Sequence, residues 1–262
     1  MSETPGTAPS AVEVFEVSKR FRLELNRPTS VKEAVLRFGR RDVRHLWALR
    51  DVSLSIDKGS FFGLVGHNGS GKSTLLRLMA GIHRPTSGRI AAQGRLSALL
   101  ELGSGFHPEL TGRENVFLNG AMLGLGRRQM AAAMDDIIDF SGIGDQIDAP
   151  VKIYSSGMYM RLGFSVAVNV EPEVLLVDEV IAVGDEEFQQ RCLHHMEKLR
   201  RGGTTIILVS HDAALVRRLC DRVGWLDGGC LRAVGDPGEV LDSYLAHSAE
   251  ADGAQRVGAD LS

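Results

Sequence analysis

Phe61-Phe62-Gly63-Leu64-Val65-Gly66-His67-Asn68-Gly69-Ser70-Gly71-Lys72-Ser73-Thr74 is the stretch from which the rest of the chain can be read. Its first five residues form a short apolar run that reads as a buried strand, and residues 75–80 read as a helix. Between them Gly66, Gly71, Lys72 and Ser73 meet the pattern GxxxxGK(S/T), in the strand–loop–helix setting its chemistry requires. Glycines let backbone N–H groups close in on phosphate oxygens, and the helix N-terminus adds positive potential. Gly66, His67, Asn68, Gly69, Ser70, Gly71, Lys72, Ser73 and Thr74 are therefore candidate ATP-binding residues. Lys72 is expected to reach the β- and γ-phosphates and Ser73 to bind Mg²⁺ through its hydroxyl.

Working outward, Leu175-Leu176-Val177-Asp178-Glu179 is an apolar strand that delivers adjacent carboxylates to its C-terminal end, where open parallel sheets bind ligands. Asp178 suits Mg²⁺ and Glu179 suits a general base aimed at an attacking water. Ser210-His211-Asp212 follows another buried strand, residues 204–209, and places His211 within reach of a γ-phosphate. Alternation marks strands at residues 12–17 and 49–56; helical patterns occupy 128–140, 158–170 and 186–201. Buried apolar runs alternating with helices predict an α/β fold with a parallel sheet, interrupted by a helical insertion.

With Tyr154-Ser155-Ser156-Gly157-Met158 ahead of Asp178, these blocks resemble the nucleotide-binding subunit of an ABC transporter. The resemblance implies a P-loop NTPase core of ABC type, an antiparallel β subdomain and a helical signature subdomain at about 103–170. Ser155 and Gly157 match positions of the signature LSGGQ, with Tyr154, Ser156 and Met158 departing from it. Asp185 matches the D-loop aspartate and His211 the switch histidine. Where most of the family has a glutamine that senses Mg²⁺, this chain has Glu101 or, by ungapped alignment, Leu102. The family's adenine-stacking aromatic is Phe21 by local pattern or Trp47 by distance to the next strand. The resemblance also implies a head-to-tail homodimer sandwiching two ATP, in which Ser155 and Gly157 of one subunit meet the γ-phosphate held by Lys72 of the other. Motion would pass through the helical insertion to separate integral membrane permease subunits.

A finer resemblance lies in Leu99-Leu100-Glu101-Leu102-Gly103-Ser104-Gly105-Phe106-His107-Pro108-Glu109-Leu110-Thr111-Gly112-Arg113-Glu114-Asn115, in the YSSGM signature and in residues 182–185. These are similar to the ATPases that export O-antigen, capsule and teichoic acid. The implied function is ATP hydrolysis powering export of a lipid-linked polysaccharide at the cytoplasmic face of the cell membrane. Other readings are a cassette for a different cargo, or a soluble one acting on DNA. The latter type inserts coiled coils or zinc-binding cysteines, and Cys192, Cys220 and Cys230 form no CxxC pattern.

The remaining sequence sets bounds. A net charge of −3 gives no bulk drive towards nucleic acid or anionic membrane. Nothing approaches the roughly 20 apolar residues of a membrane span, so a membrane role is expected to be peripheral. Residues 1–10 are expected to be a disordered lead-in, 11–245 the ATPase domain and 246–262 a flexible tail. That tail is too short for a glycan-reading β-sandwich, so the exported glycan is expected not to be bound directly. The basic stretch 19–44, with a short amphipathic helix at 31–38, reads as a solvated loop. Its alternative is a surface for headgroups or an anionic glycan.

Overall fold

The computed structural model describes residues 9–24, 43–100, 105–178 and 185–259. In chain order the elements are β1 (Ser10–Glu24), β2 (Val43–Asp57), β3 (Phe61–Val65), α1 (Lys72–Met79), β4 (Ser87–Ala92), β5 (Leu96–Leu99), α2 (Gly112–Met122), α3 (Arg127–Ser141), α4 (Ser156–Asn169), β6 (Val174–Asp178), α5 (Glu186–Arg201), β7 (Thr205–Val209), α6 (Ala213–Leu219), β8 (Arg222–Asp227), β9 (Cys230–Gly235) and α7 (Pro237–Ala259). They build a sheet of order β5-β6-β7-β3-β8-β9, parallel except for the β8–β9 pair, and an antiparallel sheet of order β2-β1-β4.

Side-chain alternation explains the layering. Along β3, β6 and β7, residues Phe61, Val65, Leu175, Val177, Ile206 and Leu208 enter one core, against α4, α5, α6 and α7. Their neighbours Phe62, Leu64, Val174, Leu176, Ile207 and Val209 enter a second core shared with α1 and the antiparallel sheet. Both faces of these strands are thus covered, which is why they read as continuous apolar runs. Each such buried aliphatic or aromatic side chain contributes about 1.5–3 kcal/mol. A third core, built on Val116, Met130, Ile137, Leu162 and Val166, holds α2, α3 and α4 together as a helical unit.

Two boundaries differ from those read in the sequence. The basic stretch is not irregular throughout: β1 continues to Glu24 and β2 starts at Val43, antiparallel and in register from Arg20↔Trp47 to Glu24↔Val43. Cross-strand backbone pairing carries these strands beyond their apolar alternation. The helix expected at 31–38 lies outside the described residues. At the other end, α7 runs to Ala259, past the position where the flexible tail was expected to begin. Val240, Leu241 and Tyr244 give it a face on the core of the parallel sheet. That i, i+1, i+4 stripe is too short to stand out in a polar sequence. No helix among the described residues is long and apolar enough to cross a membrane.

Candidate functional site at the strand edge

Register across the sheet assembles the site. Leu64 of β3 pairs with Val209 of β7, and Val209 pairs with Asp178 of β6. The residues that follow, the loop from Gly66, the turn at Ser210-His211 and Asp178 itself, therefore share one edge, at the carboxyl ends of parallel strands.

The loop from Gly66 to Gly71 is shaped by close approach. Gly66 has φ +149°, and a Cβ there would collide with the Leu226 carbonyl oxygen. Gly71 has φ +106°, and its Cβ would lie 2.6 Å from the Ala48 carbonyl oxygen. Neither position tolerates a side chain. The Gly229 N–H donates to the Ser70 carbonyl at 3.1 Å, and the Arg50 N–H to the Gly229 carbonyl at 2.8 Å, so the β8–β9 turn and β2 brace the loop from outside. Lys72 is buried, and its Nζ donates to the carbonyls of Gly66 at 2.6 Å and His67 at 2.9 Å. Asn68 and Gly69 are exposed at the tip, Ser73 and Thr74 are half-buried in the first turn of α1, and the buried Ser70 Oγ has no hydrogen-bond partner among the described residues.

The helix N-termini differ in how they are capped. Thr111, Ser155, Asp185 and Asp212 each cap a helix through a side-chain oxygen. Gly71 supplies no such cap to α1, and no acidic residue occupies its first turn; α3, entered from Gly126, is alike in both, so the mark of α1 is the buried Lys72 at its first position. Backbone N–H groups at a helix start, with a lysine in its first turn, are the donor types an oligophosphate takes. Asp178 is half-buried at the end of β6; a carboxylate and a hydroxyl such as that of Ser73 are oxygen donors of the kind Mg²⁺ takes. His211 is exposed, between Ser210, whose hydroxyl accepts from the Asp212 N–H at 3.0 Å, and Asp212, which caps α6. Glu179 and Glu101 lie outside the described residues.

Ser155 and Gly157 are not at this edge. Ser155 caps α4 by accepting from the Met158 N–H at 3.2 Å, and it borders a cavity of about 290 Å³ with Gly142, Gly157, Met158 and Arg161. A Cβ on Gly157 would meet nothing closer than 3.8 Å, so its backbone faces open space. Asp185 caps α5, accepting from the Phe188 N–H at 3.0 Å, and pairs with Arg161 of α4 at 2.8 Å. The Phe188 N–H first, and then Arg161, hold its carboxyl below the usual carboxylate range. Arg161, which also lies over the Phe188 ring at 5.1 Å, was missed in the sequence; its place six residues after Ser155 marks nothing by itself.

The two aromatic candidates separate. Trp47 pairs with Arg20 and Phe21 with Leu46, so their side chains leave opposite faces of the β1–β2 ribbon. Phe21 meets His83 edge-on at 5.7 Å, while Trp47 carries the Arg20 guanidinium at 5.4 Å and directly precedes Ala48, which touches the loop. Cys192 and Cys220 are buried in the core of the parallel sheet, and desolvation pushes their thiols up to about 12, as for packing residues.

The helical unit is interlocked by polar groups. Asn115 is fully buried; its amide donates to the carbonyls of His107, Leu110 and Thr111 and accepts from the His107 N–H. The Tyr154 hydroxyl donates to the Gln146 carbonyl at 2.7 Å and fills the space where a Cβ on Gly112 would sit. The segment 106–115 and the signature are thereby one packed piece.

The sequence pattern of the ABC transporter family matches residues 49–182. The chain belongs to that family. Its cassette is 49% identical over 241 residues to an O-antigen export system ATP-binding protein of Myxococcus xanthus, covering 89% of this chain and 55% of that one. A protein of the same description from Klebsiella pneumoniae is 47% identical over 201 residues, with coverage of 77% and 82%. A teichoic acids export ATP-binding protein of Lactiplantibacillus plantarum is 40% identical over 237 residues, with coverage of 90% and 65%. The cassette thus spans little more than half of the Myxococcus relative. Among solved structures, an ATP-binding subunit of an ABC transporter superposes with TM-score 0.73 at 21% identity, covering 90% of this chain and 93% of that one. A dimeric post-hydrolysis cassette bound to ADP and phosphate gives 0.70 at 19% identity, covering 86% and 98%. At these identities the solved structures establish the fold.

Proposed function

We propose that the chain is the ATP-hydrolysing subunit of an exporter of lipid-linked polysaccharide, working as a head-to-tail homodimer docked on separate membrane permease subunits at the cytoplasmic face. The observation that carries the ATPase part is the shared strand edge, where the uncapped α1, Lys72, Asp178 and His211 converge. The glycan cargo is supported by the resemblance of the 99–115 and 154–158 segments to glycan-exporting ATPases and by the descriptions of the relatives above.

In this reading backbone N–H groups of the loop and of the start of α1 bind phosphate oxygens, and Lys72 exchanges its carbonyl partners for the β- and γ-phosphates. Ser73 and Asp178 would hold Mg²⁺, which would supply charge neutralisation at the phosphates. Glu179 takes a proton from the attacking water, and His211 orients the γ-phosphate. Ser155 and Gly157 of the second copy close the site, because within one chain they stand on the helical unit, bordered by Gly142 and Arg161.

The test is Glu179→Gln. The variant should bind ATP as the parent does, accumulate as an ATP-bound dimer on size exclusion, and lose steady-state turnover by a factor of roughly 10²–10⁴. Full turnover in that variant would refute the assignment of the base. The cargo is tested separately, by whether cells producing the variant with its permease accumulate undecorated lipid-linked glycan on the cytoplasmic side.

A further inference from the structure

The C-terminal helix reaches the phosphate loop through one side chain. His67 Nε2 lies 3.3 Å from Ser248 Oγ, and the His67 ring meets Tyr244 edge-on with centroids 5.6 Å apart. Ser248 donates its only hydroxyl proton to the Tyr244 carbonyl at 2.9 Å. With its proton so placed, the Ser248 oxygen accepts from the imidazole in the tautomer that carries its proton on Nε2. Tyr244 is held from behind by Trp225 at 6.0 Å, and Trp225 by His247 at 5.3 Å. Trp225 pairs in β8 with Val65, the residue before the loop, so the cluster has a rigid footing.

The same histidine is tied to the chemistry through its backbone. Its carbonyl accepts from Lys72 Nζ at 2.9 Å and from the Ser70 N–H at 3.1 Å. The tip beyond it has little other support: Asn68 and Gly69 are exposed, and a Cβ on Gly69 would meet nothing within 4 Å. A loop held in its binding conformation before the ligand arrives loses less conformational freedom on binding.

We propose that Tyr244 and Ser248 are positioning residues for the phosphate loop: through His67 they hold residues 66–71 in the conformation that takes ATP, so that α7 sets nucleotide affinity. This rests on the reading of residues 66–74 as the ATP site and adds to it a helix that makes no phosphate contact in that reading. It also gives α7 a means of control, because whatever shifts the helix along its axis displaces Ser248 from His67.

The experiment measures ATP–Mg²⁺ binding and steady-state turnover on the full chain. Ser248→Ala and Tyr244→Leu should each weaken binding and raise KM about three- to tenfold, the range of one lost hydrogen bond or ring contact, with kcat within about twofold of the parent. Ser248→Thr and Tyr244→Phe, which keep the hydroxyl and the ring, should restore both values. In a His67→Ala background, Ser248→Ala should add no further loss. The inference is overturned if both truncations bind ATP as the parent does, if the loss falls on kcat alone, or if it persists undiminished in the His67→Ala background. A parent chain that does not bind ATP removes the site reading, and this inference with it; a parent that binds alongside unaffected variants removes the inference alone.

Discussion

The strand-edge site and the helical unit are built by different means. At the edge, position comes from the backbone: strands covered on both faces cannot slip register without exposing a row of buried residues, so Leu64, Val209 and Asp178 stay aligned. In the helical unit, position comes from side chains reaching backbone groups across turns. Asn115 gathers His107, Leu110 and Thr111, and Tyr154 reaches Gln146 over Gly112. Surface ion pairs add to it, Arg113 with Asp148 at 2.7 Å and Lys152 with Glu109 at 2.6 Å. A backbone-built site tolerates change in most side chains and none in its glycines. A side-chain-built unit tolerates change only where partners change together.

The largest expected effect breaks the first half of that contrast. Gly71→Ala forces a left-handed backbone on alanine against the Ala48 carbonyl and the Leu49 side chain. It should cost about 2–4 kcal/mol of stability and abolish ATP binding, while the helical unit keeps its hydrogen-exchange protection. Near-parental affinity would mean that the loop relaxes freely, and that its shape is not dictated by close approach.

A smaller effect sharpens the second half. Gly112→Ala should destabilise the chain by about 2 kcal/mol through collision with the Tyr154 hydroxyl, and Tyr154→Phe by about 1 kcal/mol through loss of the bond to Gln146. Combined, they should cost less than their sum, since removing the hydroxyl relieves the tightest contact of the methyl group and leaves those with Ile147, the nearer its carbonyl at 2.9 Å. Chemical denaturation of the two single variants and the double variant measures this, and simple additivity would show that the two segments are not interlocked.

The smallest effect is set by pH. Lys152 beside Glu109, Thr111 beside Glu114 and Arg113 beside Asp148 hold these carboxyls below their ordinary values of 4.5, 4.5 and 3.8. A carboxyl whose folded pKa lies below its unfolded one contributes stability that is present above the unfolded value and lost as pH falls through the folded one. All three are exposed, so solvent screens the pairs. Thermal unfolding should shift down by a few degrees below about pH 4.5, with Arg113→Gln and Lys152→Gln flattening that slope. An identical slope in the charge-neutral variants would remove the pairs from the account.

How much of this was legible in the sequence follows from the same contrast. The helices read at 128–140, 158–170 and 186–201 stand at Arg127–Ser141, Ser156–Asn169 and Glu186–Arg201, because apolar spacing is a local property. The extension of β1 and β2 through the basic stretch was not legible, since cross-strand backbone pairing leaves no mark on composition. Nor could Phe21 and Trp47 be separated before their register placed them on opposite faces. Asp185 was found by its motif, but its pairing with Arg161 was invisible, because that bond joins residues of two elements.

By itself the sequence determined the chemical inventory of the loop at 66–74 and the strands that carry it. Glycine, lysine and serine at those spacings have few other uses, and doubly covered strands must be written in apolar residues. Only the tertiary structure decided which groups meet. It lined up Gly66, Asp178 and His211 through sheet register, and it left Ser155 and Gly157 on another unit. It also laid α7 against His67, 181 residues away in the chain. Contacts at such separations depend on how whole layers pack, and no local pattern of residue types encodes that.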